Sequence, residues 1–288
     1  MESETEFNYE LEIYYPEKKD VIRFIENMHK FRNLKKLILY YNNLNDTLLI
    51  TSINDTITEI YINECYLYKL PKLPHNLITL NCETNLLSEL PELPLTLQFL
   101  ICNNNKLNKL PNLPASLIYF SCGNNLLTEI PYLHSPILHT LYIYANFITK
   151  IENIPKSVLY FNCSNNYISE LPDLPSNLLC FDCSNNYLKE LPYLPTNLFY
   201  FQRFNNPLID YYYDPLQNGL DYLFSDNQSN LINYINNVII RKKTISRIKE
   251  MKYELLEKSA KIMLHPKRIL KLLNNNEISF LDSSFENL

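Results

Sequence analysis

Between Leu77 and Asn206 apolar and polar residues recur in one phrase. It reads Leu77-x-x-Leu80-x-Cys82-x-x-Asn85, then Leu97-Leu100-Cys102-Asn105, Leu117-Phe120-Cys122-Asn125, a divergent Leu138-Leu141-Ile143-Asn146, Val158-Phe161-Cys163-Asn166 and Leu178-Phe181-Cys183-Asn186. Looser copies flank it at Leu34-Leu37-Leu39-Asn42, Ile57-Ile60-Ile62-Cys65 and Leu198-Phe201-Arg203-Asn206. The step is 20 residues, once 21, and a period in this range marks a solenoid. Within each copy the last two constant apolar positions lie two apart. That is strand periodicity and puts both side chains on one face. One short strand per copy is therefore predicted, each stacked on the next about 4.8 Å away in a parallel sheet. The Asn after each strand turns the chain away, and its buried amide pairs with backbone groups that would otherwise be left open.

A second phrase, Leu-Pro-x-Leu-Pro, fills the return path at Leu70–Pro74, Leu90–Pro94, Leu110–Pro114, Leu171–Pro175 and Leu191–Pro195. Proline fixes φ and lacks the N–H, so an extended, polyproline-like convex side is predicted in place of a helix. The combined phrase resembles the short leucine-rich repeat of secreted bacterial effectors, over roughly residues 57–208. It is also similar to Asn-, Ile- and Tyr-rich repeat proteins of giant DNA viruses. The resemblance implies an α/β-type solenoid, a leucine-rich-repeat horseshoe whose parallel sheet forms the concave face, with a helical C-terminal cap. Some members of the effector family carry a ubiquitin-ligase domain with a catalytic Cys after the repeats. Here no Cys follows Cys183, so that activity does not carry over.

Three segments are expected: a strand–helix cap at 1–33, about nine repeats at 34–208, and a loop with a basic helical tail at 209–288. Residues 1–8 read as disordered, 10–14 as a strand and 18–30 as an amphipathic helix. The copy around 131–146 has Pro-Tyr-Leu-His where its neighbours have Pro-x-Leu-Pro, plus the extra residue, so a convex-side irregularity is expected there. Arg203 takes the core position held by Cys elsewhere, and a charge is almost never buried unpaired, so regular stacking should end with that copy. Residues 208–227 read as an aromatic loop. From about 229 to 264, Leu231, Ile235, Val238, Ile245, Ile248, Leu255 and Ile262 keep helical spacing, and Pro266 stops it.

Composition sharpens this in three ways. Only two glycines occur in 288 residues, so turns must use Pro and Asn, the latter in pairs such as Asn104-Asn105 and Asn165-Asn166. Net charge is −5, which carries no global nucleic-acid signature. Charge is uneven, however. Residues 241–271 hold eleven Lys or Arg against three Glu. That stripe is either the solvated face of a cap or a contact for nucleic acid or an anionic membrane. An acidic N-terminus without an apolar core reads as no signal peptide, so an intracellular setting, a host cytoplasm under the effector resemblance, is expected.

Candidate chemistry is sparse. Five cysteines share one inward position and read as reduced core residues. In Cys180-x-x-Cys183 the two face opposite sides of a strand, which argues against a shared metal. His134 and His139 lack a third ligand in register. No phosphate loop, zinc spacing or nucleophile elbow is present. No catalytic residue, metal or cofactor is therefore assigned, and a non-enzymatic monomer is expected.

The working surface is expected on the concave face. Outward Phe99, Tyr119, Tyr142, Tyr160 and Tyr200 make an aromatic stripe, with Ser121, Asn162 and Asp182 beside it. Aromatic residues of this kind are enriched at protein interfaces. The stripe reads as a site for a partner protein, or else as cross-strand stacking that only stabilises the sheet. The rival assignments are an adaptor whose basic helix meets nucleic acid or membrane, and a host-directed effector that recruits degradation machinery.

Overall fold

A computed structural model describes residues 9–14, 34–40, 53–208 and, between 232 and 250, the positions 232, 235–237, 239–240, 243–244, 246–247 and 250. The expected helix at 18–30, the loop at 209–227 and the chain beyond 250 lie outside the described residues. The chain divides into two compact units, Met1–Asn236 and Asn237–Leu288.

The first unit is built on a ten-stranded parallel sheet in strict sequence order. β1 (Tyr9–Tyr14), β2 (Leu34–Tyr40) and β3 (Glu59–Asn63) are the longer strands. The next four are three-residue strands, β4 (Thr79–Asn81), β5 (Phe99–Ile101), β6 (Tyr119–Ser121) and β7 (Thr140–Tyr142). So are the last three, β8 (Tyr160–Asn162), β9 (Cys180–Asp182) and β10 (Tyr200–Gln202). Each strand is centred on the second constant apolar residue. Leu80, Leu100, Phe120, Leu141, Phe161 and Phe181 are wholly or almost wholly buried, as are the inward cysteines that follow. Three of these core rings stack along the solenoid axis, Phe161 on Phe181 at 5.4 Å and Phe181 on Phe201 at 5.6 Å.

The conserved phrase explains the hydrogen bonding. Nδ2 of Asn125 donates to the carbonyls of Cys102 at 3.0 Å, Cys122 at 3.1 Å and Gly123 at 3.2 Å. Its Oδ1 accepts the Leu107 N–H at 3.0 Å. One amide thus closes its own turn and ties it to the preceding repeat. Asn85, Asn105, Asn146, Asn166, Asn186 and Asn206 repeat the pattern. Where the phrase has Cys65 in place of Asn, the thiol donates to the Leu39 carbonyl at 3.5 Å, the counterpart of the Ile62 carbonyl that Asn85 reaches. The first residue of each Asn pair sits in the left-handed region, Asn104, Asn124, Asn165, Asn185 and Asn205 all at φ between 53° and 56°. Asn tolerates that conformation better than any residue but Gly.

No helix occurs within residues 53–208; the Leu-Pro-x-Leu-Pro segments run extended and end in a tight turn, as where the Leu97 N–H donates to the Pro94 carbonyl at 3.1 Å. The extra residue near 131–138 is absorbed on this convex side. Pairing of β6 with β7 continues unshifted, Tyr119 beside Thr140 and Phe120 beside Leu141. The irregular segment is held by a side chain from the next repeat: Asn153 donates to the Leu133 carbonyl at 2.9 Å and accepts the Leu133 N–H at 3.0 Å. The last convex segment is held in the same way. Asn236, at a helical position, donates to the Leu194 carbonyl at 2.9 Å and accepts its N–H at 2.9 Å. Ile232 and Ile235 are buried beside it in sequence. Asn236 thus gives Leu194 the same paired amide bonds that Asn153 gives Leu133.

In the second unit every described position is helical, consistent with the expected period. Lys243 and Arg247 are exposed, and Arg247 pairs with Glu250 at 3.2 Å.

Candidate interaction surface

Three rows of side chains cover the outward face of the sheet, which is the concave side of such a solenoid. Sequence register anticipates two of them. The first holds Lys36, Glu59, Thr79, Phe99, Tyr119, Thr140, Tyr160, Cys180 and Tyr200, which the strand pairing sets side by side. Phe99, Tyr119, Tyr160, Cys180 and Tyr200 are half-buried, whereas Thr140 is covered. The second row carries Tyr61, Asn81, Ile101, Ser121, Tyr142, Asn162, Asp182 and Gln202.

Not every residue of the expected site offers a free group. Ser121 is only 1% exposed, and its hydroxyl donates to Asn103 Oδ1 at 2.7 Å, so it supports the surface from beneath. Asn162 and Asp182 each spend one oxygen on a local turn, accepting from the Ser164 hydroxyl at 2.7 Å and the Ser184 hydroxyl at 2.6 Å. The rings are brought together at one place, where Tyr119 meets Tyr142 edge-on at 6.0 Å. Phe99 and Tyr160 make no ring contact among the described residues.

The row that sequence register misses lies one step further along, at Glu83, Asn103, Gly123, Tyr144, Ser164, Ser184 and Phe204. Its signal was one of the chain's two glycines. A Cβ at Gly123 would collide with Cζ, Cε1 and Cε2 of Tyr144, so the ring of Tyr144 lies across the neighbouring strand where only hydrogen fits. Burial is the main cause that raises the hydroxyl pKa values of Tyr119, Tyr142 and Tyr144. Neighbouring acidic and phenolic groups add to it, Glu83 at both Tyr119 and Tyr144.

The cysteines divide as their register predicts. All seven are free thiols; Cys180 is half-buried on the outward face, and the other six are buried. Burial pushes the Cys82 thiol up to about 12 and raises Cys102, Cys122, Cys163 and Cys183 as well. Among the described residues no group of three or more His, Cys, Asp or Glu could hold a metal ion. No helix among them is long and apolar enough to cross a membrane.

A second regular surface runs along the edge after the Asn turn. Phe147, Tyr167 and Tyr187 are exposed and stack in sequence at 5.8 Å and 5.7 Å. Beside them Asn146, Asn165, Asn166, Asn185, Asn186 and Asn205 line an open groove of about 380 Å³.

No family model and no curated protein sequence matches the chain. Solved structures do. YopM from Yersinia enterocolitica is 30% identical with a TM-score of 0.53, over 62% of this chain and 44% of that one. The chain thus spans less than half the length of that protein. A Shigella effector LRR domain is 23% identical with a TM-score of 0.47, over 68% of this chain and 80% of that domain. The functional domain of InlJ from Listeria monocytogenes, described as including a cysteine ladder, is 24% identical with a TM-score of 0.40, over 60% of this chain and 47% of that one. With its repeat phrase, its parallel sheet and its likeness to YopM, the chain is a leucine-rich-repeat solenoid.

Proposed function

We propose that the solenoid is a protein-interaction module whose partner lies across the concave face. One observation carries the reading: Phe99, Tyr119, Tyr142, Tyr144, Tyr160 and Tyr200 stand half-buried on a continuous, unbulged run of strands from β5 to β10. That run covers about 25 Å at the usual strand spacing, long enough for a helix or an extended segment. The alternative, that these rings serve the sheet by stacking, is weakened by where stacking occurs. It runs through the interior at Phe161, Phe181 and Phe201 and along the lateral edge at Phe147, Tyr167 and Tyr187. On the concave face Tyr119 and Tyr142 meet only edge-on, and Phe99 and Tyr160 make no ring contact among the described residues, so the area of these four is left for a partner. A host-directed effector role draws support from the likeness to YopM.

The test is affinity capture with the full chain. Central interface aromatics are worth about 2 kcal/mol or more each. Tyr119→Ala with Tyr160→Ala should abolish capture of the principal partner, with the fold retained by circular dichroism. The convex pair Glu89→Ala with Glu170→Ala should capture it as the intact chain does. Unchanged affinity in the folded Tyr pair would move the site elsewhere. A contact of the basic helix with nucleic acid or an anionic membrane is a separate proposal, favoured by the exposure of Lys243 and Arg247. It requires binding that weakens steeply with salt and is lost when residues 228–288 are removed.

A further inference from the structure

The concave face shows how it handles a positive charge. At its N-terminal end Lys36 Nζ lies over the ring of Tyr61, 5.5 Å from the centroid, and Tyr61 donates its hydroxyl to Glu59 Oε2 at 3.3 Å. A cation, an aromatic ring and a carboxylate from adjacent strands thus form one small assembly.

Further along the same face two of those three components recur without the first. Glu83 is half-buried, and its carboxylate has no hydrogen bond or ion pair among the described residues. The next positions in its row are Asn103, Gly123 and Tyr144. Asn103 is fixed, its Oδ1 accepting the Ser121 hydroxyl and the Gly123 N–H, each at 2.7 Å. Gly123 has no side chain, and the ring of Tyr144 lies over it. On the neighbouring outward rows Tyr119 stands edge-on to Tyr142. The charge of Glu83 acts on both hydroxyls, raising Tyr119 and Tyr144 beyond what burial does. The outward positions of β4 to β7, from Thr79 through Tyr144, contain no Lys, Arg or His.

We propose that Glu83, Tyr119 and Tyr144 form a receptor for an arginine side chain of the partner that binds the concave face. This rests on the concave-face reading and adds to it the chemistry of the occupant. A carboxylate without a counter-ion, beside ring faces and phenolic oxygens, matches a guanidinium in three respects. The guanidinium carries a permanent charge, donates two parallel hydrogen bonds to a carboxylate, and stacks its plane on an aromatic ring. A lysine ammonium supplies the charge but not the plane. Gly123 is then a requirement of the site and not of the turn, since its role is to leave space for the Tyr144 ring.

The probe is N-acetyl-arginine amide, with the neutral N-acetyl-citrulline amide as its control, titrated at millimolar concentration into the full chain while the tyrosine ring resonances are followed by NMR. Saturable shifts at Tyr119 and Tyr144 are expected with the arginine compound, and binding about ten-fold weaker with citrulline, the ratio that corresponds to about 1.4 kcal/mol. Glu83→Gln should erase the difference between the two compounds. Gly123→Ala should weaken the arginine response by displacing Tyr144. Should Gly123→Ala fail to fold, Glu83→Gln alone decides. Equal responses to the two amides, no response in the intact chain, or an unchanged response in Glu83→Gln would overturn the receptor. The concave-face reading fails separately: capture that survives Tyr119→Ala with Tyr160→Ala removes it, whereas capture lost in that pair beside a failed arginine titration leaves it standing without this receptor.

Discussion

The two faces of each strand obey different rules. Inward, every regular repeat has a Leu or Phe, a thiol and an Asn at the same places, all of them buried, and the Asn is hydrogen-bonded alike in each. Outward, the same strands carry Phe99, Tyr119, Thr140, Tyr160, Cys180 and Tyr200, no two neighbours alike and most of them half-buried. The inward side must fit its own neighbour, so one solution is copied from repeat to repeat. The outward side is under no such demand from the fold. Its variety is what a surface shaped to something outside the repeat would show.

If the division is real, damage inward should appear as lost stability. The largest effect is expected in alkali. Cys82, Cys102, Cys122, Cys163 and Cys183 are held above the ordinary thiol value of 9.0 by burial. In the unfolded chain they ionise near that value, so above it the unfolded state holds fewer protons than the folded state and stability falls as pH rises. Each thiol contributes about 1.4 kcal/mol per pH unit in that window. Denaturant melts should therefore be flat below pH 8 and collapse between about pH 9 and 10. A melt unchanged across that range would place these thiols in contact with water.

Next in size are the buried amides. Asn125→Ala or Asn166→Ala leaves several backbone groups of two repeats unpaired and should cost about 1–3 kcal/mol by the same melts. The paired, exposed Asn gives a smaller and more selective effect. Asn124 lies at φ 53°, where a Cβ without a polar tip is strained. Asn124→Ala should cost about 1 kcal/mol, and Asn124→Gly close to nothing. Equal losses for the two substitutions would mean that its hydrogen bond to Asn104, and not the backbone angle, is what matters.

How much of this could be read from the chain follows the same division. The strands, the inward register, the Asn closure and the extended convex side are properties of one repeat, and a period repeated through the array displays them. Even the replacement of Asn by Cys65 was legible, because it falls at a fixed place in the phrase. Contacts between different repeats were not. Tyr144 over Gly123 joins two residues 21 apart that break the pattern together, and Asn236 reaches Leu194 across 42 residues with no period to announce it. Asn153 has a counterpart in Asn112 that makes no such bond, so its hold on Leu133 shows only in three dimensions. Ser121 was placed on the correct face, yet its burial depends on the side chains that lie over it.

Cys180 and Cys183 put both faces within one short segment, which allows the division to be measured without altering the protein. Cys180 is half-buried on the outward face, and Cys183 is sealed within the core. Thiol labelling without denaturant, read by peptide mass spectrometry on the free chain and on the chain bound to its captured partner, compares them directly. The account predicts that Cys180 alone of the seven labels readily in the free chain and is protected in the complex, while the buried six stay silent in both. Labelling of Cys180 that the partner leaves unchanged, or inward thiols that react as fast as Cys180, would contradict it.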